Sequence, residues 1–134
     1  MKKVLLAAAC AISLIGCTGQ KNAKDMDITG KWNIEKAMGV STQTAERPTY
    51  IIFDKDGKVN GCASVNVFSG EYALKGEKLT LSYIGMTKMM GASMDVEDAV
   101  TNAINTTASI KVKGDNAYIL NAKNDTIMVL SKEK

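Results

Sequence analysis

Behind residue 28 the chain alternates apolar and polar positions in short runs, each closed by Gly, Asn or Asp. In residues 78–84, Leu79, Leu81 and Tyr83 alternate with polar neighbours, the period of a half-buried strand. Residues 30–37, with Trp32 and Ile34 two apart, predict a first strand. A polar connection over 38–47 follows, ended by Pro48. The run Tyr50-Ile51-Ile52-Phe53 predicts a strand at 49–54 dense enough to be buried on both faces. Lys55-Asp56-Gly57 is a turn, since Asp tolerates the bend and Gly supplies positive φ. Residues 58–63 return as the other arm of a hairpin. Further strands are predicted at 71–74, 109–113, 117–121 and 126–131, with turns at Lys75-Gly76-Glu77, Gly114-Asp115-Asn116 and 122–125.

One segment breaks the pattern. Across 94–105, Val96, Ala99, Val100, Ala103 and Ile104 recur at helical spacing and predict one short helix. Ser93 can cap its start. Asp95, Glu97 and Asp98 crowd its first turn, where the helix dipole favours negative charge. These acids diverge around the helix, so they do not read as a metal site. The fold class is therefore mainly β (α+β): a small antiparallel, partly closed β-barrel of seven to eight strands, its opening covered by the helix. Edge strands must be paired or covered, which favours closure. Trp32, Tyr50, Phe53 and Phe68 are expected to supply the large core pieces.

The N-terminal segment has a different grammar. Lys2 and Lys3 precede an apolar stretch from Val4 to Ile15, which ends in Leu14-Ile15-Gly16-Cys17. A charged start, a short apolar run and a small residue before the cut mark a secretory signal. A Cys directly after it makes the segment resemble a bacterial lipoprotein signal. The run is too short for the roughly 20 residues that cross a bilayer. The expected organisation is a signal peptide at 1–16, lipidation (palmitate-type acylation) at Cys17, a flexible tether at 17–27 and one domain at 28–134. The expected location is the cell envelope, lipid-anchored at the outer membrane on its periplasmic or outer side, with the membrane itself a partner through the anchor. Loss of Lys2 and Lys3 lowers the formal net charge from +3 to +1. No Lys/Arg run of nucleic-acid type remains. Cys10 falls within the removed segment, and Cys62 is left as an unpaired thiol, expected to be a small buried apolar residue.

Catalytic equipment is sparse. The chain has no His, the commonest general base and metal ligand. Cys62 and the Ser residues thus lack a His partner. Asp54 and Asp56 sit at a tight turn, where solvated side chains are the default. No cofactor or metal is expected, and an enzyme is not. Met86, Met89, Met90 and Met94 form a thioether-rich stretch that could line an adaptable groove for a partner or fill gaps where helix meets sheet.

Several segments together resemble the META domain, the HslJ-like group of bacterial envelope proteins. They are Gly30-Lys31-Trp32; Pro48-Thr49-Tyr50-Ile51-Ile52-Phe53-Asp54 with Gly57; Asn66-Val67-Phe68-Ser69-Gly70-Glu71-Tyr72; Thr87-Lys88-Met89-Met90; and the acidic helix start Met94-Asp95-Val96-Glu97-Asp98. The resemblance spans about residues 28–130. It implies a compact barrel-like β fold with one helix, an envelope location and links to stress, with no settled activity. It is similar at fold level to secretion pilot lipoproteins, which hold a partner's peptide or a lipid tail. Many members carry a Cys just before the Asn and another just after the Met-Met segment; Val65 and Gly91 stand there, so no bridge is expected. Trp32, Tyr50, Phe53, Asn66, Phe68, Gly70, Tyr72 and Thr87 are read as structural motif residues. Two functions stay open: a stress-related or structural interaction module for an envelope protein or peptide, and a carrier of a lipid or apolar small molecule in the barrel mouth.

Overall fold

The computed structural model describes residues 26–134. The signal segment, Cys17 and most of the expected tether lie outside them. Met26 already packs against the core, so the packed domain begins two residues before position 28.

Nine strands and one helix follow: β1 (Gly30–Ala37), β2 (Val40–Ser41), β3 (Tyr50–Phe53), β4 (Lys58–Cys62), β5 (Val67–Lys75), β6 (Lys78–Met86), α1 (Asp95–Asn105), β7 (Ser109–Lys113), β8 (Asn116–Leu120) and β9 (Thr126–Lys132). All ladders are antiparallel. Pairing of β1 with β9, from Trp32↔Lys132 to Ala37↔Met128, closes eight strands into a barrel. β2 is an extra strand on the last two residues of β1, and a single 3-10 turn (Thr42–Thr44) follows it. The mainly-β barrel with one helix is what the alternating pattern predicts; β2 and that turn fall where it reads only polar connection.

Closure is uneven. β6 and β7 share one register pair, Lys78↔Ser109, extended by Leu79 N–H to Ala108 O and Ile110 N–H to Glu77 O. Above that point the two strands part. The chain between them forms the 87–94 loop and α1, which packs on β1, β2 and β9. Val96, Ala99, Val100, Ala103 and Ile104 are its buried face, as their spacing predicts. Ser93 does not cap it: Met94 occupies the N-cap position without a side-chain hydrogen bond. The free N–H groups of Ala92 and Ser93 go instead to Glu46 Oε1, at 2.6 and 3.2 Å.

Trp32, Ile34, Ile51, Phe53, Phe68, Leu79, Ile110, Ile119, Met128 and Leu130 fill the interior. Each such side chain contributes roughly 1.5–3 kcal/mol by leaving water. A bulge between Ile34 and Lys36 resets the alternation, so that Ala37 turns inward and Lys36 stays out. At the opposite end to the helix, Trp32 Nε1 donates to Ile28 O at 2.9 Å. Lys132 lies 4.6 Å over its ring and donates to Thr29 O at 2.6 Å. Two expectations fail here. Tyr50 is not core: it alternates outward with Ile52 on β3, half-buried, with Lys31 Nζ 4.4 Å over its ring. The run at 50–53 is therefore buried on one face only, because the strand lies in a barrel wall rather than between two layers. Tyr83, read as inward with Leu79 and Leu81, is 86% exposed.

Candidate functional site at the helix end of the barrel

Asn66 is the hinge-pin of the helix end. It stands on the turn between β4 and β5, 3% exposed. Its Oδ1 accepts from Thr87 Oγ1 at 2.8 Å and from Met89 N–H at 2.6 Å. Its Nδ2 donates to Met89 O at 3.0 Å and to Glu97 Oε2 at 2.8 Å. Glu97, also 3% exposed, takes the N–H groups of Val65 and Asn66 on Oε1 at 2.9 and 3.0 Å. Thr87 Oγ1 accepts from Val67 N–H at 3.1 Å. One amide and one carboxylate thus tie the β4–β5 turn, the 87–94 loop and α1 together. A buried carboxylate needs such charge-assisted donors to offset its lost hydration.

A second belt surrounds this knot. Glu46 N–H donates to Ser64 Oγ at 2.9 Å. The Arg47 guanidinium donates to the Ser64 and Val65 carbonyl oxygens. Ser64 holds φ at 126°, a strained value for a side-chain-bearing residue, and these bonds fix it. A Cβ placed on Gly91 would lie 2.7 Å from Val65 Cγ2. Positions 65 and 91, where the family resemblance implied a pair of Cys, are therefore neighbours in space, and here Val packs against Gly. Cys62 is buried and free, with its thiol 3.8 Å from Ser64 O.

The motif residues divide by place. Trp32, Phe53 and Phe68 are core. Tyr72 packs edge-on to Phe53, ring centroids 5.0 Å apart, and its hydroxyl donates to Asp54 O at 2.7 Å. Burial, with the Asp54 and Asp27 charges adding to it, raises the Tyr72 pKa. At the domain's start, Thr29 donates its hydroxyl and N–H to Asp27 and lowers that carboxyl's pKa. Gly70 is required by close approach: a Cβ there would lie 2.6 Å from Ile84 Cδ1 and 2.7 Å from Ser82 O. Asn66 and Thr87 meet in the knot. The four methionines do not act as one cluster. Met86 is half-buried and accepts from Thr101 Oγ1 at 3.6 Å; Met94 folds back toward its own loop, its sulfur 3.5 Å from Gly91 N. Met89 and Met90 are 52% and 81% exposed. Among the described residues no group of three or more His, Cys, Asp or Glu could hold a metal ion. No helix among them is long and apolar enough to cross a membrane.

Glu97 and Glu46 are the site residues that the sequence pattern misses. Glu97 carries a signal in hindsight: it stands three residues before Val100 and seven before Ile104, inside the apolar stripe rather than on the solvated face. Glu46 carries none, since its partners lie 46 and 47 residues away.

Comparison with protein families places this geometry. A family model of the META domain matches residues 25–134. The chain belongs to the META domain family. A search of curated proteins gives no match. Among solved structures, a protein solved by NMR superposes with a TM-score of 0.61 at 20% identity, over 77% of this chain and 87% of that one. A Burkholderia xenovorans protein, also seen by NMR, gives 0.59 at 20% identity, over 78% and 82%. A crystal structure of a DUF4847 family protein from Bacteroides vulgatus gives 0.57 at 13% identity, over 79% and 95%. These likenesses show a shared barrel fold, and the META assignment rests on the family model. The knot of Asn66, Thr87 and the helix acid is how this chain builds that fold's helix end.

Proposed function

We propose that this META-domain chain is a lipid-anchored, non-catalytic envelope protein that presents its helix-end loop to a protein or peptide partner. One observation carries the reading. The 87–94 loop is pinned at its base by Asn66 and at its far side by Glu46, yet points Met89 and Met90 into solvent. Pinned backbone with exposed, adaptable thioethers is how a binding loop is built.

Two further features support it. The barrel interior is occupied by its own large side chains, which favours work at the surface over carriage of a lipid within. The lipobox at Leu14-Ile15-Gly16-Cys17 supplies the anchor. Met26 sits beside Leu74, Lys75 and Gly76, at the far end of β5 from Asn66. With a rise of about 3.3 Å per residue, the nine residues of β5 separate the two by roughly 25 Å. In this reading the tether joins the domain at its Met26 end, and the methionine loop lies at the other end of the barrel.

Cys17→Ala is expected to leave the protein unacylated and to release it from the membrane fraction. Unchanged fractionation and mass would contradict the anchor. Native mass spectrometry of protein purified from its host separates the two uses of the domain. An apo mass with a co-purifying envelope protein supports the interaction module, and stoichiometric bound lipid supports the carrier.

A further inference from the structure

The outer face of β3–β6 carries a trough distinct from the methionine loop. Asn60, Ser69 and Gly85 stand in one cross-strand row and form its floor. Two adjoining hollows of about 430 and 360 Å³ share these three residues. Tyr50, Val67 and Thr87 wall one side, and Lys58, Glu71 and Tyr83 the other.

Tyr83 is the anomaly. The β5–β6 register passes from Glu71↔Ser82 to Ser69↔Gly85, so Tyr83 and Ile84 together face Gly70. The bulge lets Ile84 pack against the core and throws Tyr83 outward. Tyr83 adopts φ of 55°, a left-handed conformation that costs an aromatic residue and would cost Gly nothing. Neither packing nor burial recovers that cost, because the ring is 86% exposed. Among the described residues no internal hydrogen bond occupies the Asn60 amide, the Ser69 hydroxyl or the Tyr50 and Tyr83 phenols.

We propose that this trough binds a neutral glycan chain, with the Tyr83 ring as its stacking platform. The C–H face of a pyranose carries partial positive charge and meets the negative face of an aromatic ring. Asn60 and Ser69 offer donors and acceptors matched to sugar hydroxyls. The wall charges are already paired, Lys58 Nζ to Glu71 Oε2 at 3.4 Å, so the trough presents no net charge to a ligand. A peptide strand fits less well. β4 and β5 are paired on both sides and leave no backbone edge within the floor for strand addition; β6 is open only on its β7 side, beyond Lys78↔Ser109. The inference stands apart from the partner-loop reading and uses none of its residues except Thr87 as wall.

The test is an amide NMR titration of the full chain in dodecylphosphocholine micelles, which carry no sugar headgroup. Cellohexaose and chitohexaose are the probes. Saturable shifts are expected at Asn60, Ser69 and Gly85. Tyr83→Phe should hold the affinity within about twofold, and Tyr83→Gly should weaken it at least about tenfold, or 1.4 kcal/mol, while Tm stays equal or rises. That combination separates a ligand platform from a packing element. The proposal is overturned if neither hexasaccharide gives saturable shifts at millimolar concentration, or if Tyr83→Gly leaves affinity unchanged or lowers Tm. It is also overturned if an uncharged decapeptide occupies the same amides more tightly than either glycan.

Discussion

At Asn66 a buried amide spends both its ends on protein partners, and Glu97 beside it accepts three N–H donors. At Tyr83 a strained backbone holds a ring in water with no internal partner. Both regions hang on β5, whose first residue, Val67, follows Asn66 and whose Gly70 faces Tyr83. The first region is closed on itself. Its polar groups are satisfied, its residues are family motif, and its chemistry is used up in holding three segments together. The second is open; the bulge accounts for its left-handed backbone, but not for a Tyr where Gly would carry no strain. The lesson is that the most recognisable motif here is architecture, and that surfaces able to act are found where the chain departs from what folding alone requires.

The contrast can be broken from either side. The largest effect should come from Glu97→Ala, which leaves Val65 N–H, Asn66 N–H and Asn66 Nδ2 without that acceptor. A loss of about 3–5 kcal/mol is expected in denaturant unfolding, a large share of the stability of a domain this size. A loss below about 1 kcal/mol would mean that water or a relaxed backbone replaces the knot. A smaller effect, about 1 kcal/mol at pH 7, is expected for Tyr72→Phe, which deletes the bond to Asp54 O. Its pH signature has a definite sign. The folded-state pKa of Tyr72 is raised from 10.0, so its contribution is fully present below pH 10 and is lost as pH rises through the folded value. The gap in Tm between the wild type and Tyr72→Phe should therefore hold from about pH 8 to 10 and narrow as pH rises further. The smallest effect belongs to the exposed loop: Met89→Ser with Met90→Ser should change stability by no more than about 0.5 kcal/mol. A drop of several kcal/mol would return those methionines to the core.

Much of this fold is legible in the sequence, for local reasons. Strand alternation locates β1, β4, β7, β8 and β9 to within a residue or two, and the 3.6-residue stripe locates α1. β5 reads short, beginning at Glu71 rather than Val67, because Asn66-Val67-Phe68-Ser69 looks like a bend until Phe68 is seen to face inward. Tyr83 and Tyr50 are misread because a bulge and the barrel wall decide which face is buried, and both depend on a neighbour strand. The candidate site is half legible. Asn66 and Thr87 stand out through family resemblance, whereas Glu97 and Glu46 act on partners more than 30 residues away. No local period reports such contacts.

The central claim is that the domain works by presenting its methionine loop, at the barrel end opposite Met26, to a partner. It is tested most directly by site-specific photo-crosslinking in intact cells, comparing a reactive residue at position 90 with one at position 75, beside Met26 at the opposite end. The account predicts a discrete adduct with an envelope protein from position 90 and none of that mass from position 75. The same adduct from position 75, or none from position 90, would contradict it.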